Sequence, residues 1–325
     1  MGDKMQAMTS REYGGPEIMK LEELDRPVPK DDQVLIKVAY TSVNPFEWHH
    51  LRGEPWLMRM ANKALLKPHV HILGADVSGV VEAVGAKVTR FNPGDEVFGD
   101  IGFGAFAQYA VGAEKKLAHK PNDVSFQDVG VVGIAGLTAL QAVRDWGEVK
   151  PGQKVLINGA SGGVGTYAVQ IAKVFGAEVT AVCSGKNAEL VKGLGADHVI
   201  DYKKEDFTQN GKTYDVIIDL AASRSIKETK RAMAPVSRWV HVGFNFKNMI
   251  LGGLFGRWLF SDSGKSLVLK IADVNVDDLT TLGDMLASGK IRSVIDRTYE
   301  LKDTSIAVEY VETMRAKGKV AIEVN

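Results

Sequence analysis

Short runs of β-branched residues set the pattern of the first third of the chain. Val34 to Tyr40 and Val77 to Val84 are such runs, bounded by Gly, Pro, Asp and Asn, as strands between turns are. An irregular, mostly β unit is predicted there. After Pro121 the pattern changes. Lys154 to Asn158 is an apolar run of strand length, and apolar residues then recur at helical spacing from Gly163 to Phe175. Glu178 to Cys183 reads as a strand, a helix follows through Leu194, and His198 to Tyr202 reads as a strand again. Such alternation predicts a parallel sheet with helices on both faces. Two more strands are predicted at Tyr214 to Leu220 and Arg238 to Gly243.

The last part of the chain offers an amphipathic helix from Val276 to Ala287 and a strand from Val294 to Tyr299. A helix ending near Ala316 and a terminal strand from Lys319 to Val324 follow. Two helices cannot bury a sheet of their own, so this tail is expected to return to the first domain. The fold class is α/β. A β-rich domain is expected over residues 1–125, a doubly wound domain over 126–265, and a segment completing the first domain over 266–325. A length of 325 residues suits two cores.

Lys plus Arg and Asp plus Glu number 40 each, so no net positive field collects nucleic acid or anionic lipid. A small-molecule partner is the expectation. Cys183 is the single cysteine, which excludes an intramolecular disulfide and agrees with a reducing compartment. Met1 to Ser10 is polar and lacks a secretory apolar core, so a cytoplasmic protein is expected. The longest apolar stretch, Met249 to Phe260, is broken by three glycines and Arg257. It is shorter than the ~20 residues of a spanning helix and is read as a buried or interface segment, or as a pocket wall.

Val155-Leu156-Ile157-Asn158-Gly159-Ala160-Ser161-Gly162-Gly163-Val164-Gly165 joins an apolar strand to a helix through a glycine turn. A pyrophosphate needs close backbone approach, and a helix N-terminus offers unpaired N–H groups to anionic oxygen. Ser161, Gly162, Gly163, Val164 and Gly165 are the candidate phosphate-binding residues. Roughly 20 residues on, an NAD site places a carboxylate on the ribose 2′-hydroxyl. This chain instead reads Val182-Cys183-Ser184-Gly185-Lys186-Asn187. The Ser184 hydroxyl and Lys186 ammonium suit a 2′-phosphate, with Tyr202 beside the adenosine. NADPH is the cofactor expected.

With those residues in place, the chain resembles the zinc-free quinone oxidoreductase branch of the medium-chain dehydrogenase/reductase superfamily over nearly its whole length. Its landmarks run Val43-Asn44-Pro45-Phe46-Glu47-Trp48, Gly74-Ala75-Asp76-Val77-Ser78-Gly79, Gly94-Asp95-Glu96-Val97-Phe98-Gly99 and Gly136-Leu137-Thr138-Ala139. The glycine turn, Leu194-Gly195-Ala196-Asp197 before Asp201-Tyr202, and the closing Gly318-Lys319-Val320 complete the series. The resemblance implies a GroES-like catalytic domain built from both chain ends and a Rossmann domain between them. It implies Asn44 and Thr138 near the nicotinamide ribose and phosphates, with Gly243, Phe244, Arg315 and Lys317 completing the cofactor wall. A homodimer is expected by resemblance as well.

The superfamily's alcohol dehydrogenases hold zinc with cysteine and a Gly-His-Glu segment, where this chain has Asn44 to Glu47 and Ala75-Asp76. His49, His50, His69 and His71 with Asp76 fit no zinc pattern, so no metal is expected. Without a Lewis acid the favoured substrates are those whose product anion is delocalised, quinones and α,β-unsaturated carbonyls. Asn44 is the candidate catalytic residue, although Asn44-Pro45-Phe46-Glu47 also reads as a helix start. Phe46 and Trp56 are candidate pocket residues, with Leu57 and Met58 beside them. No general acid is identified. A zinc-independent aldehyde or ketone reductase, and a non-catalytic NADPH-binding interaction protein, stay open as alternatives.

Overall fold

The structure is a computed structural model that describes residues 3–56, 59, 64–243, 253, 260 and 264–324. It divides into two compact units, residues 1–135 with 274–325 and residues 136–273.

The first unit opens with β1 (Lys4–Thr9) paired antiparallel to β2 (Lys20–Asp25). The next strand, β3 (Gln33–Val43), is eleven residues long and is the hub of a seven-stranded sheet. It ends at α1 (Pro45–Arg52), and the chain returns through β4 (Asp76–Val84), β5 (Glu96–Asp100), β6 (Tyr109–Ala113) and β7 (Leu117–His119). Strands β4 and β6 pair antiparallel with β3, β5 with β4, and β7 with β5. Alternate residues such as Val34, Ile36 and Val38 point into one core with Val77, Val97 and Phe106, as the two-residue period of a strand requires.

A short helix, α2 (Phe126–Gly130), packs on this sheet, where Ser78 Oγ donates to the Phe126 carbonyl at 2.6 Å. The first unit therefore runs past residue 125. The following helix, α3 (Gly133–Gln141), leads into the second unit.

There β8 (Lys154–Asn158), α4 (Gly163–Val174), β9 (Glu178–Cys183), α5 (Ala188–Gly193), β10 (His198–Asp201) and β11 (Tyr214–Asp219) alternate as predicted. After α6 (Ile226–Arg231) come β12 (Met233–His241) and β13 (Lys265–Leu269). All five pairings are parallel, in the order β10-β9-β8-β11-β12-β13. The order reverses between β8 and β11, the switch point at which doubly wound sheets bind dinucleotides. Val155, Leu156 and Ile157 are all fully buried, as a strand covered on both faces requires. Strand β13 was not foreseen. It carries the second unit beyond residue 265, so the boundary falls at 273.

The chain then returns to the first unit. It forms α7 (Val276–Ala287), β14 (Ile295–Glu300), α8 (Thr304–Glu312) and β15 (Lys319–Glu323). Strand β15 pairs antiparallel with β3, and β14 lies parallel to β15. Val320 and Ile322 enter the first unit's core, each worth about 2 kcal/mol of apolar burial. Helix α8 stops short of Ala316, with Thr313 as its cap and Met314 at φ 57°. The apolar stretch from Met249 to Phe260 lies largely outside the described residues. Of it, Phe260 is buried beside Trp239 in the second unit's core.

Candidate active site

Helix α1 starts because its sequence obliges it to. Asn44 has extended backbone, Pro45 supplies a preset φ at the first helical position, and Glu47 Oε2 accepts the Asn44 N–H at 2.7 Å, the reciprocal half of a capping box. Gly53 ends the helix in the left-handed conformation at φ 62°. The start therefore has the geometry of a cap, while the Asn44 carboxamide has a further occupation. Its Nδ2 donates to Asp76 Oδ2 at 3.1 Å, and its Oδ1 accepts the Lys319 ammonium.

Asp76 lies at the start of β4 and Lys319 at the start of β15, and both are buried. Asp76 Oδ2 also accepts the Ser42 hydroxyl and stands 3.2 Å from Lys319 Nζ, while its Oδ1 accepts the Ile134 N–H at 2.7 Å. Glu47 is fully buried alongside, with Oε1 accepting the Ala75 N–H at 3.1 Å. Desolvation, then repulsion from Asp76, pushes the Glu47 carboxyl up to about 8. The same two causes push Asp100 up to about 6. The ion pair thus sits among carboxyls that hold their protons more tightly than usual.

Beside α1 the first unit contains a cavity of about 410 Å³. Phe46, as expected, lines it, together with Tyr13, His50, Leu73 and Phe103. The His50 ring packs on Phe46 at 4.1 Å and on Phe103 at 5.1 Å, and its Nδ1–H donates to the Phe46 carbonyl at 2.8 Å. That bond leaves Nε2 as the unprotonated acceptor of the ring, and burial lowers the ring's pKa. Trp56 does not line this cavity and is 62% exposed. Leu57 and Met58 lie outside the described residues. The histidines do not converge on Asp76 as metal ligands. His49 and His71 turn Nδ1 to the carbonyls of Glu54 and Ser10, and no group of three or more potential ligands could hold a metal among the described residues.

The second unit carries a site of another kind. Gly159 has φ 91°, and a Cβ at Gly165 would lie 2.2 Å from the Gly159 carbonyl, so both positions demand glycine. Gly162 caps α4 with no side-chain hydrogen bond. The N–H groups of Gly163, Val164 and Gly165 are thus the unpaired donors of a helix start. Ser161 Oγ accepts from Asn187 Nδ2 at 2.9 Å, which ties the turn to the segment after β9.

Cys183 pairs with Asp201 across β9 and β10, so Ser184 and Tyr202 emerge side by side at the carboxyl ends of the sheet. Ser184 is buried, while Lys186 and Tyr202 are exposed. Asn187 Oδ1 is buried without a hydrogen-bond partner, an acceptor that suits a polar ligand. Gly243 follows β12, its N–H bonded to the Asp219 carbonyl at 3.0 Å. Phe244 lies outside the described residues. Thr138 is buried in α3, and Arg315 and Lys317 are exposed before β15.

Residues 30–122 match the family described as alcohol dehydrogenase GroES-like domain, and residues 194–322 match zinc-binding dehydrogenase. A chloroplastic quinone-oxidoreductase from Triphysaria versicolor is 32% identical over 99% of both chains. The chain belongs to the medium-chain dehydrogenase/reductase superfamily, in its quinone-oxidoreductase-like branch. A chloroplastic NADPH-dependent alkenal/one oxidoreductase from Arabidopsis thaliana is 32% identical over 98% of this chain and 79% of its own length. The quinone oxidoreductase structure from Coxiella burnetii superposes with a TM-score of 0.87 at 28% identity, covering 99% of this chain and all of that one.

Within this superfamily's frame, the sequence did not single out Lys319, Asp100 or Asn187, and it brought up His50 only as a metal ligand. Lys319 was visible only as part of the closing Gly-Lys-Val landmark and as the first residue of an expected strand, and nothing in its neighbourhood signals that its ammonium is buried. Asn187 had one signal, its place directly after the residues chosen for the 2′-phosphate.

Proposed function

We propose that this protein reduces quinones or α,β-unsaturated carbonyls with NADPH and without a metal. The carrying observation is the glycine turn at the switch point of a β10-β9-β8-β11-β12-β13 sheet, followed by Ser184 and Lys186 where a carboxylate would select NAD. The names of the quinone-oxidoreductase and NADPH-dependent relatives support the same reading. The Gly162 to Gly165 backbone holds the pyrophosphate, Ser184 and Lys186 hold the 2′-phosphate, Tyr202 flanks the adenosine, and Asn187 Oδ1 takes a ligand hydrogen.

Bound NADPH supplies the hydride. The protein contributes position and a place for charge. Asn44 orients the nicotinamide ribose or the acceptor oxygen. The aromatic walls of the cavity, Phe46 and Phe103, take a flat conjugated acceptor. The proton that the product oxygen or α-carbon requires comes from water, because His50, with Nδ1–H on the Phe46 carbonyl and its pKa lowered by burial, keeps Nε2 as an acceptor. No zinc is needed, because the product anion is delocalised over the conjugated system. The Asp76 carboxylate, which stands at the segment where relatives place a ligand, is already committed to four donors.

We read the protein as a homodimer joined through an edge of the second sheet, as the resemblance implies, and as cytoplasmic. The lone thiol Cys183 is buried and pushed up to about 11, which suits a residue that stays reduced. The deciding experiment follows NADPH oxidation by chelator-treated protein with a panel of ortho- and para-quinones, linear enones and simple aldehydes, with NADH in parallel. Turnover of quinones or enones with NADPH supports the reading, aldehyde turnover alone replaces it with an aldehyde reductase, and NADPH binding without turnover removes the catalytic claim.

A further inference from the structure

The first unit contains a buried ion pair that binding does not obviously need. Lys319 and Asp76 come from strands 243 positions apart in the chain, and both side chains are essentially removed from solvent. Burying such a pair is a poor way to gain stability, since apolar replacements of the same volume are often neutral or better. What the pair does achieve is polarity. A lysine ammonium can only donate and an ionised aspartate can only accept. Lys319 on one side and Asp76 on the other therefore assign the oxygen and nitrogen ends of the Asn44 carboxamide between them. A flipped amide would set N–H against the ammonium and C=O against the carboxylate.

The scaffold behind this pair is itself over-determined. Ser42 Oγ and the Ile134 N–H hold the two oxygens of Asp76, and Thr41 Oγ1 donates to its backbone carbonyl at 2.6 Å. Glu47 fixes the Asn44 backbone through its N–H. We propose that Lys319 and Asp76 are positioning residues that lock the Asn44 carboxamide in one orientation, leaving one N–H in a fixed place for a hydroxyl or carbonyl of the bound cofactor or acceptor. The proposal rests on the reading of Asn44 as the residue that meets that group. It assigns to the terminal strand a part in catalysis beyond closing the sheet.

The test is a mutant cycle. Lys319→Met strands a buried carboxylate, so the charge-free pair Asp76→Asn/Lys319→Met is prepared beside it. Both are expected to lose kcat by about a hundredfold, the scale of a misplaced reacting group, with KM for NADPH changed less than about twofold. In an Asn44→Ala background the same Lys319→Met change is expected to cost nothing more. Full kcat in the folded double variant, or an equal loss with and without Asn44, overturns the proposal. A second readout does not need turnover. The Asn44 side-chain amide, observed by NMR in asparagine-labelled protein, is expected to be protected from hydrogen exchange in the wild type and unprotected in the double variant. Equal protection in both overturns the lock. If the wild type reduces no quinone or enone, the functional reading fails while this measurement still decides the orientation.

Discussion

The two units hold polar groups in opposite ways. In the second unit the candidate phosphate site is backbone: three unpaired N–H groups at the start of α4, reached through a turn whose glycines leave no side chain in the way. In the first unit the candidate site is side chain: Asn44, Asp76, Glu47 and Lys319, drawn from β3's end, α1, β4 and β15 and buried together. A backbone site tolerates change wherever space and φ allow it, whereas a buried side-chain knot fails when any member is removed. The contrast is between a site set by local conformation and one set by electrostatic completeness.

The largest break is expected at Asp76. Asp76→Ala leaves the Lys319 ammonium buried without its carboxylate, and urea unfolding at neutral pH is expected to show a loss of about 3–5 kcal/mol. Next comes Gly165→Ala, whose new Cβ meets the Gly159 carbonyl at 2.2 Å and the Ala160 backbone at 2.7 Å. A stability loss of about 1–3 kcal/mol should accompany weakened NADPH binding in a fluorescence titration. Gly162→Ala is the matched control, since its Cβ meets only the Gly159 carbonyl at 3.5 Å. It should melt like the wild type, and a large destabilisation there would refute the claim that space alone separates the two glycines.

The knot also predicts a pH dependence that the backbone site lacks. Glu47 is held up at about 8 and Asp100 at about 6, against ordinary values of 4.5 and 3.8. The folded protein keeps protons that the unfolded chain releases, so stability is fully present below the ordinary values and falls as pH rises through about 6 and then about 8. Each carboxyl contributes at most about 1.4 kcal/mol per pH unit within its window. Melting temperatures from pH 5 to pH 9 should therefore decline, and Glu47→Gln, which cannot ionise, should flatten the upper part of the curve. An unchanged slope in that variant would take Glu47 out of the account.

The smallest effect is expected at the rim of the second site. Lys186 is exposed, so Lys186→Ala should leave stability unaltered and weaken NADPH by about tenfold, the size of one charge-assisted contact, with NADH unaffected. Equal weakening of both nucleotides would move the 2′-phosphate contact elsewhere.

Sequence by itself determined what depends on neighbouring residues. The change of period after Pro121, the strand-turn-helix around Gly159 to Gly165, the absence of a carboxylate at Ser184 to Asn187 and the start of α1 at Asn44 all follow from local spacing, capping and backbone freedom. Even the return of the tail was legible, because its two helices and two strands had too little apolar surface to stand alone. Tertiary structure decided the rest. Strand β13 joined the second sheet through pairing with β12, which no local pattern near Lys265 announced. Phe46 and Trp56 lie within one stretch of chain, yet only Phe46 lines the cavity. Arg315 and Lys317 stood out as cations before the last strand, yet Lys319 is the one that is buried, 275 positions from the carboxamide it contacts. Burial and ion pairing are properties of what folds over a residue, and for Lys319 that cover is supplied by β3 and β4 from the opposite end of the chain.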